Sequence, residues 1–93
     1  MMATPDFEEI RGRVRGLLIA LGPILSSDEA GEVDELLEHA ELGEGLRTLA
    51  WLIVEEEKVV APADIREIES LAVRMGIVDE LPPGLSQYGV DDG

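Results

Sequence analysis

From Leu42 to Val54 the chain reads LGEGLRTLAWLIV, and this run sets what the rest can fold into. Leu42, Leu46, Leu49, Ala50 and Ile53 fall at the i, i+4, i+7, i+8, i+11 spacing of one helical face. Leu52 and Val54 flank that stripe, so the second half is apolar over most of its circumference. Such a helix needs packing partners on several sides. It lies within Leu36 to Glu57, a stretch that also holds the single Trp and the single His.

Three further helical patterns surround it. In the first, Thr4 is placed to cap, Pro5 suits the first helical position, and Asp6, Glu8 and Glu9 favour the positive end of the helix dipole. Phe7, Ile10, Val14, Leu17, Leu18 and Leu21 then share a face, and Glu9 and Arg13 are spaced to pair. Gly12, Gly16 and Ala20 repeat on the far side, where they either weaken the helix or admit a second copy. Gly22-Pro23 ends this helix. Ser26 and Glu29 have capping-box spacing for the second, whose apolar stripe is Val33, Leu36, Leu37 and Ala40. Lys58 to Ala61 reads as a short extended linker. Pro62 and Asp64 open the fourth helix, whose face is Ile65, Ile68, Leu71, Ala72 and Met75, with Gly76-Ile77 as a Schellman ending. The expected architecture is all-α, a compact bundle of about four mostly antiparallel helices over residues 1–77. Residues 78–93, with Pro82-Pro83-Gly84, read as an extended tail, packed on the bundle through Leu81, Leu85 or Tyr88 or else partly disordered.

The 93 residues suffice for one domain and one core. No cysteine is present, so disulfides and thiolate metal sites are excluded. No run approaches the roughly 18 apolar residues of a membrane span, and no signal-peptide pattern opens the chain. A cytoplasmic protein is expected. The 21 acids against 7 bases give a net charge of −14. That balance disfavours direct contact with nucleic acid or anionic lipid and favours a basic protein partner, although solubility alone also accounts for it.

The position of the acids is more informative than their number. Asp28 to Glu44 contains eight acids and no base. Asp28, Glu32, Asp34, Glu35, Glu38 and His39 form the outer face of the second helix, and Asp34 with Glu38 is an unfavourable i, i+4 pair. Glu41 is placed either to cap the third helix or to join that face, and Glu44 follows it. Glu55-Glu56-Glu57 sits at a helix C-terminus, where acids are unfavourable. Trp51 projects away from the apolar stripe, beside Glu44, Thr48 and Glu55. Either another element covers its ring, or it is an exposed aromatic anchor among acids, the composition of a binding hot spot. The partner-binding candidates are therefore Asp34, Glu35, Glu38, His39, Glu41, Glu44, Trp51 and Glu55.

Catalytic chemistry has few components here. No Cys nucleophile or phosphate-cradling glycine loop occurs. Glu35 and His39 have i, i+4 spacing, but no second histidine completes a metal set, and a surface pair is the simpler reading. The carboxylates lie on convex faces and do not oppose one another across a pocket, and no loop has calcium-ligand spacing. The expectation is a non-enzyme without cofactor or metal.

Leu25-Ser26 through Glu56 resembles the MafI family of bacterial immunity proteins. The match centres on Leu36-Leu37-Glu38-His39-Ala40-Glu41-Leu42-Gly43-Glu44-Gly45-Leu46, with Leu49, Leu52, Glu55 and the close Met75-Gly76-Ile77. Three positions depart from the family pattern: Ala40 stands where Gly is common, Leu42 replaces an aromatic and Gly45 replaces Ala. The likeness spans roughly Leu25 to Ile77. It implies a protein made beside a secreted toxin, often a nuclease with a basic surface, which it binds and neutralises inside the producing cell. The rival expectation is a non-catalytic adaptor that dimerises through the first helix or the Trp51 face.

Overall fold

The computed structural model describes residues 7–90. The capping expected of Thr4, Pro5 and Asp6 lies outside the described residues. Four α-helices follow in order: α1 Phe7–Ala20, α2 Ser27–Glu38, α3 Leu42–Glu55 and α4 Pro62–Met75. The fold is the all-α bundle that the periodicities predict. The core consists of aliphatic side chains, with no buried polar or charged residue among those described.

α3 lies at its centre, in contact with α1, α2 and α4. Leu46, Leu49, Ala50 and Ile53 are fully buried, and Leu42 nearly so. The closest partner is α2, where a Cβ on Gly45 would meet Leu37 Cδ2 at 3.2 Å. α2 contributes Val33 and Leu37, and α4 contributes Ile65, Ile68, Leu71 and Ala72. α1 supplies Ile10, Val14, Leu17 and Leu18, and Leu21 just beyond it is also buried. Four expected core residues fall short, and one of them is Met75 at the end of α4, which is only half-buried. Phe7 is 44% exposed, with Arg11 stacked 5.6 Å from its ring centre. Leu36 is only half-buried, and Ala40 is exposed.

The helix ends explain Ala40. α2 opens with the expected capping box: Ser26 Oγ accepts the Glu29 N–H at 3.0 Å, and Glu29 Oε1 accepts the Ser26 N–H at 2.9 Å. It closes in a Schellman turn, with Glu41 N–H donating to Leu36 O and Ala40 N–H to Leu37 O. That turn places Ala40 at φ 63°. α3 closes the same way through Lys58 N–H to Ile53 O, with Glu57 at φ 52°. α4 closes with Ile77 N–H to Ala72 O, and there Gly76 occupies the left-handed position at φ 72°. So one of three left-handed caps has the residue without a Cβ penalty, and two do not.

Ion pairs tie the helices together at their edges. Glu9 and Arg13, expected to pair within α1, each reach across to α4. Arg13 donates Nε and Nη2 to the two oxygens of Glu67 at 2.7 and 2.8 Å, and Glu9 meets Arg74 at 3.2 Å. The fork on Glu67 holds its carboxyl below the usual range, mainly through the Arg13 hydrogen bond. Lys58 Nζ donates to Ile24 O at 2.9 Å and lies 3.4 Å from Glu29 Oε1, joining the end of α3 to the start of α2.

The left-handed caps carry a prediction. Ala40→Gly and Glu57→Gly each raise stability by about 0.5–1 kcal/mol, the left-handed penalty less the extra freedom glycine gives the unfolded chain. Gly76→Ala lowers it by a similar amount. Thermal melts of the three variants check this, and no gain in the first two contradicts the positive φ values. Glu67 carries a second prediction. Its pKa is depressed on folding, so its contribution is present above the ordinary glutamate value and lost as pH falls through the depressed one. Glu67→Gln is therefore less stable than the native chain by at most about 1 kcal/mol at neutral pH. Denaturant titrations at pH 7 and pH 3 test this, and a gap that does not narrow in acid refutes it.

Candidate functional site

The segment after α4 packs on the bundle, with Leu85 buried and Leu81 and Tyr88 against the core. Val78–Glu80 and Leu85–Tyr88 form short 3-10 turns, and Leu85 and Pro82 are buried. Its end pairs with the α3–α4 linker in a parallel bridge: Val60 N–H donates to Tyr88 O and Val90 N–H to Val60 O, both at 2.9 Å. Gly89 makes the approach possible, because a Cβ there would come within 2.9 Å of Ile65 Cγ1 and 3.2 Å of Pro62 Cα.

The docked segment runs beside Trp51. The indole Nε1–H donates to the Glu80 carbonyl at 3.1 Å, and the side chain remains 37% exposed. Both readings of Trp51 are partly met: the tail fixes the ring and leaves a substantial part of it open. An open groove of about 640 Å³ passes over it. Trp51, Leu52, Leu81 and Pro83 give it apolar surface. Glu32 of α2 and Glu55 of α3 border it, together with Asp79, Glu80 and Arg47. Arg47 pairs with Glu44 at 2.5 Å and lies 3.8 Å from Glu80, while Glu32, Glu55 and Asp79 have no ion pair among the described residues.

The eight residues selected from the sequence separate into three groups. Trp51 and Glu55 line the groove, with Glu44 linked to it through Arg47. Asp34 and Glu38 share a single base, so together they keep only one net negative charge. Arg15 of α1 lies between them, 2.6 Å from Asp34 Oδ1 and 3.2 Å from Glu38 Oε2, and so relieves the repulsion expected of this i, i+4 pair. Glu35, His39 and Glu41 are exposed near the α2–α3 turn. The contact between Glu35 and His39 is to the backbone: His39 Nδ1 donates to the Glu35 carbonyl at 2.9 Å. Glu41 occupies the N-cap position of α3, but its side chain makes no capping hydrogen bond.

The sequence places Glu32 on the outer face of α2 but does not show it, Asp79 or Glu80 as neighbours of Trp51. Helical spacing gives the neighbours within α3, whereas these three arrive from other elements. No group of His, Asp or Glu among the described residues could hold a metal ion, and none of their helices is long and apolar enough to cross a membrane. No protein-family model, curated protein or solved structure matches the chain. The resemblance to MafI immunity proteins therefore rests on the sequence features alone.

If the docked segment orients Trp51, disturbing its far end changes the indole environment. Gly89→Val moves Trp51 emission to longer wavelength as Glu80 withdraws, while far-ultraviolet circular dichroism keeps its helical amplitude. Unchanged emission contradicts the coupling of bridge and ring.

Proposed function

We propose that this chain is a non-catalytic binding protein that grips a cationic protein partner through the groove around Trp51. The carrying observation is the combination of a hydrogen-bonded, part-exposed tryptophan with Glu32, Glu55 and Asp79, which have no ion pair among the described residues. An aromatic anchor with a polar rim is the usual composition of an energetic centre in an interface. The surplus of 14 negative charges steers a basic partner toward it and speeds encounter. The same surplus disfavours nucleic acid as the direct ligand.

The narrower form of this reading is immunity. A cognate secreted toxin, a nuclease with a basic substrate track, would be captured in the cytoplasm of the cell that makes it, with the carboxylates standing where phosphates bind. The resemblance over Leu25 to Ile77 supports that form, and so does the charge balance. A second reading, self-association as an adaptor, is favoured by Ile19, which is 73% exposed on the side of α1 that carries Gly12, Gly16 and Ala20.

Co-expression with the product of the adjacent reading frame tests the immunity form, with loss of toxicity and a stable complex as the expected result. Within that complex, Glu32→Lys with Glu55→Lys lowers the association rate at least tenfold at low salt, and the effect shrinks as salt screens it. Persistent toxicity with no association refutes the immunity form. A complex whose rate ignores both charge reversals moves the binding face elsewhere. Sedimentation supplies the remaining arm, since a dimer that buries the Trp51 groove favours the adaptor.

A further inference from the structure

Accepting the binding reading above, we infer that the Trp51 groove is a receptor for an arginine side chain, taking the guanidinium on the indole ring beside Glu55 and Glu32. The groove's own donors are largely committed. The indole N–H is held by the Glu80 carbonyl, and Arg47 is held by Glu44 and Glu80. What remains for a ligand is ring surface, the apolar sides of Leu52 and Pro83, and unpaired carboxylates of Glu32, Glu55 and Asp79. A ligand that matches this has an apolar shaft and a cationic end that donates hydrogen bonds.

Lysine and arginine both meet that description, and the ring separates them. A guanidinium is planar and weakly hydrated, and it can lie against an aromatic face while its edge donates to carboxylates in its plane. An ammonium gives up more hydration for the same contact. Glu55 is one turn from Trp51 on α3, so its carboxylate is within reach of the edge of a group lying on the ring. Glu32 borders the groove from α2. The chain already uses the same chemistry once, where Arg11 lies over Phe7 at 5.6 Å.

Trp51 is the only tryptophan, so its fluorescence reports occupancy directly. The intact protein is titrated with capped tetra-arginine and, separately, with capped tetra-lysine, at equal ionic strength. The arginine peptide is expected to change Trp51 emission and to bind about two- to fivefold more tightly, the advantage of an aromatic–guanidinium contact at a part-exposed site. In Trp51→Leu, followed by anisotropy of labelled peptides, that preference disappears while the weaker, salt-sensitive binding of both remains. In Glu55→Gln, which leaves the ring in place, both affinities fall. Equal affinity of the native protein for the two peptides overturns the arginine assignment and leaves the cationic-partner reading standing. Binding of neither peptide overturns both. A preference that survives Trp51→Leu, with helical content unchanged, also overturns the assignment.

Discussion

Seven basic side chains serve a chain with 21 acidic ones, and their placement decides which carboxylates are available for anything else. Among the described residues six of the seven stand in ion pairs, and most of these join different elements. Arg13 and Arg74 connect α1 with α4, Arg15 connects α1 with α2, and Lys58 connects the end of α3 with the capping box of α2. Most of these pairs are part-exposed and contribute modestly alone, the Lys58–Glu29 contact being the least exposed. Their collective effect is to reduce repulsion along helix seams, where like charges would otherwise face one another. The surplus that no base can match is left on the remaining surface.

That distribution divides acids that look equivalent in the sequence. Asp34 and Glu38 belong to the same base-free run as Glu32, yet Arg15 takes up the first two, and Glu32 is left beside Trp51. A helical wheel separates these residues by angle but cannot say which neighbour each edge faces. One edge of α2 meets an arginine of α1. The other meets the apolar and acidic surface of α3. Only the packing of three helices distinguishes a carboxylate that holds the bundle together from one that is free to hold something else.

The bundle itself was legible because its signals are local. The α3 stripe, the capping box of Ser26 and Glu29 and the Gly76 ending each depend on residues within a few positions of one another, and each appears as expected. Ala40 shows the limit of such reading. Its spacing assigns it to the apolar stripe of α2, but the helix has already ended, and the residue lies in a left-handed turn with its methyl exposed. Phe7 failed for a related reason, since periodicity fixes its angle but not whether any element lies over it.

The groove was the least legible feature, because four of its ten lining residues come from a segment with no periodicity. Asp79, Glu80, Leu81 and Pro83 are held near Trp51 by non-local interactions: a buried Leu85, a parallel bridge to Val60 and a glycine at 89 that lets two backbones meet. The hydrogen bond from the indole to the Glu80 carbonyl then satisfies the polar atom of the ring without covering the ring. The polar atom of the ring is thus satisfied at the surface, while part of its apolar area stays open. On a core made of aliphatic side chains, with its own centre already filled by Leu46, Leu49 and Ile53, a ring on the opposite side of α3 has no place inside. What keeps it from being mere exposed apolar surface is its frame of carboxylates, which favours a cationic group over an apolar one as the surface that covers it.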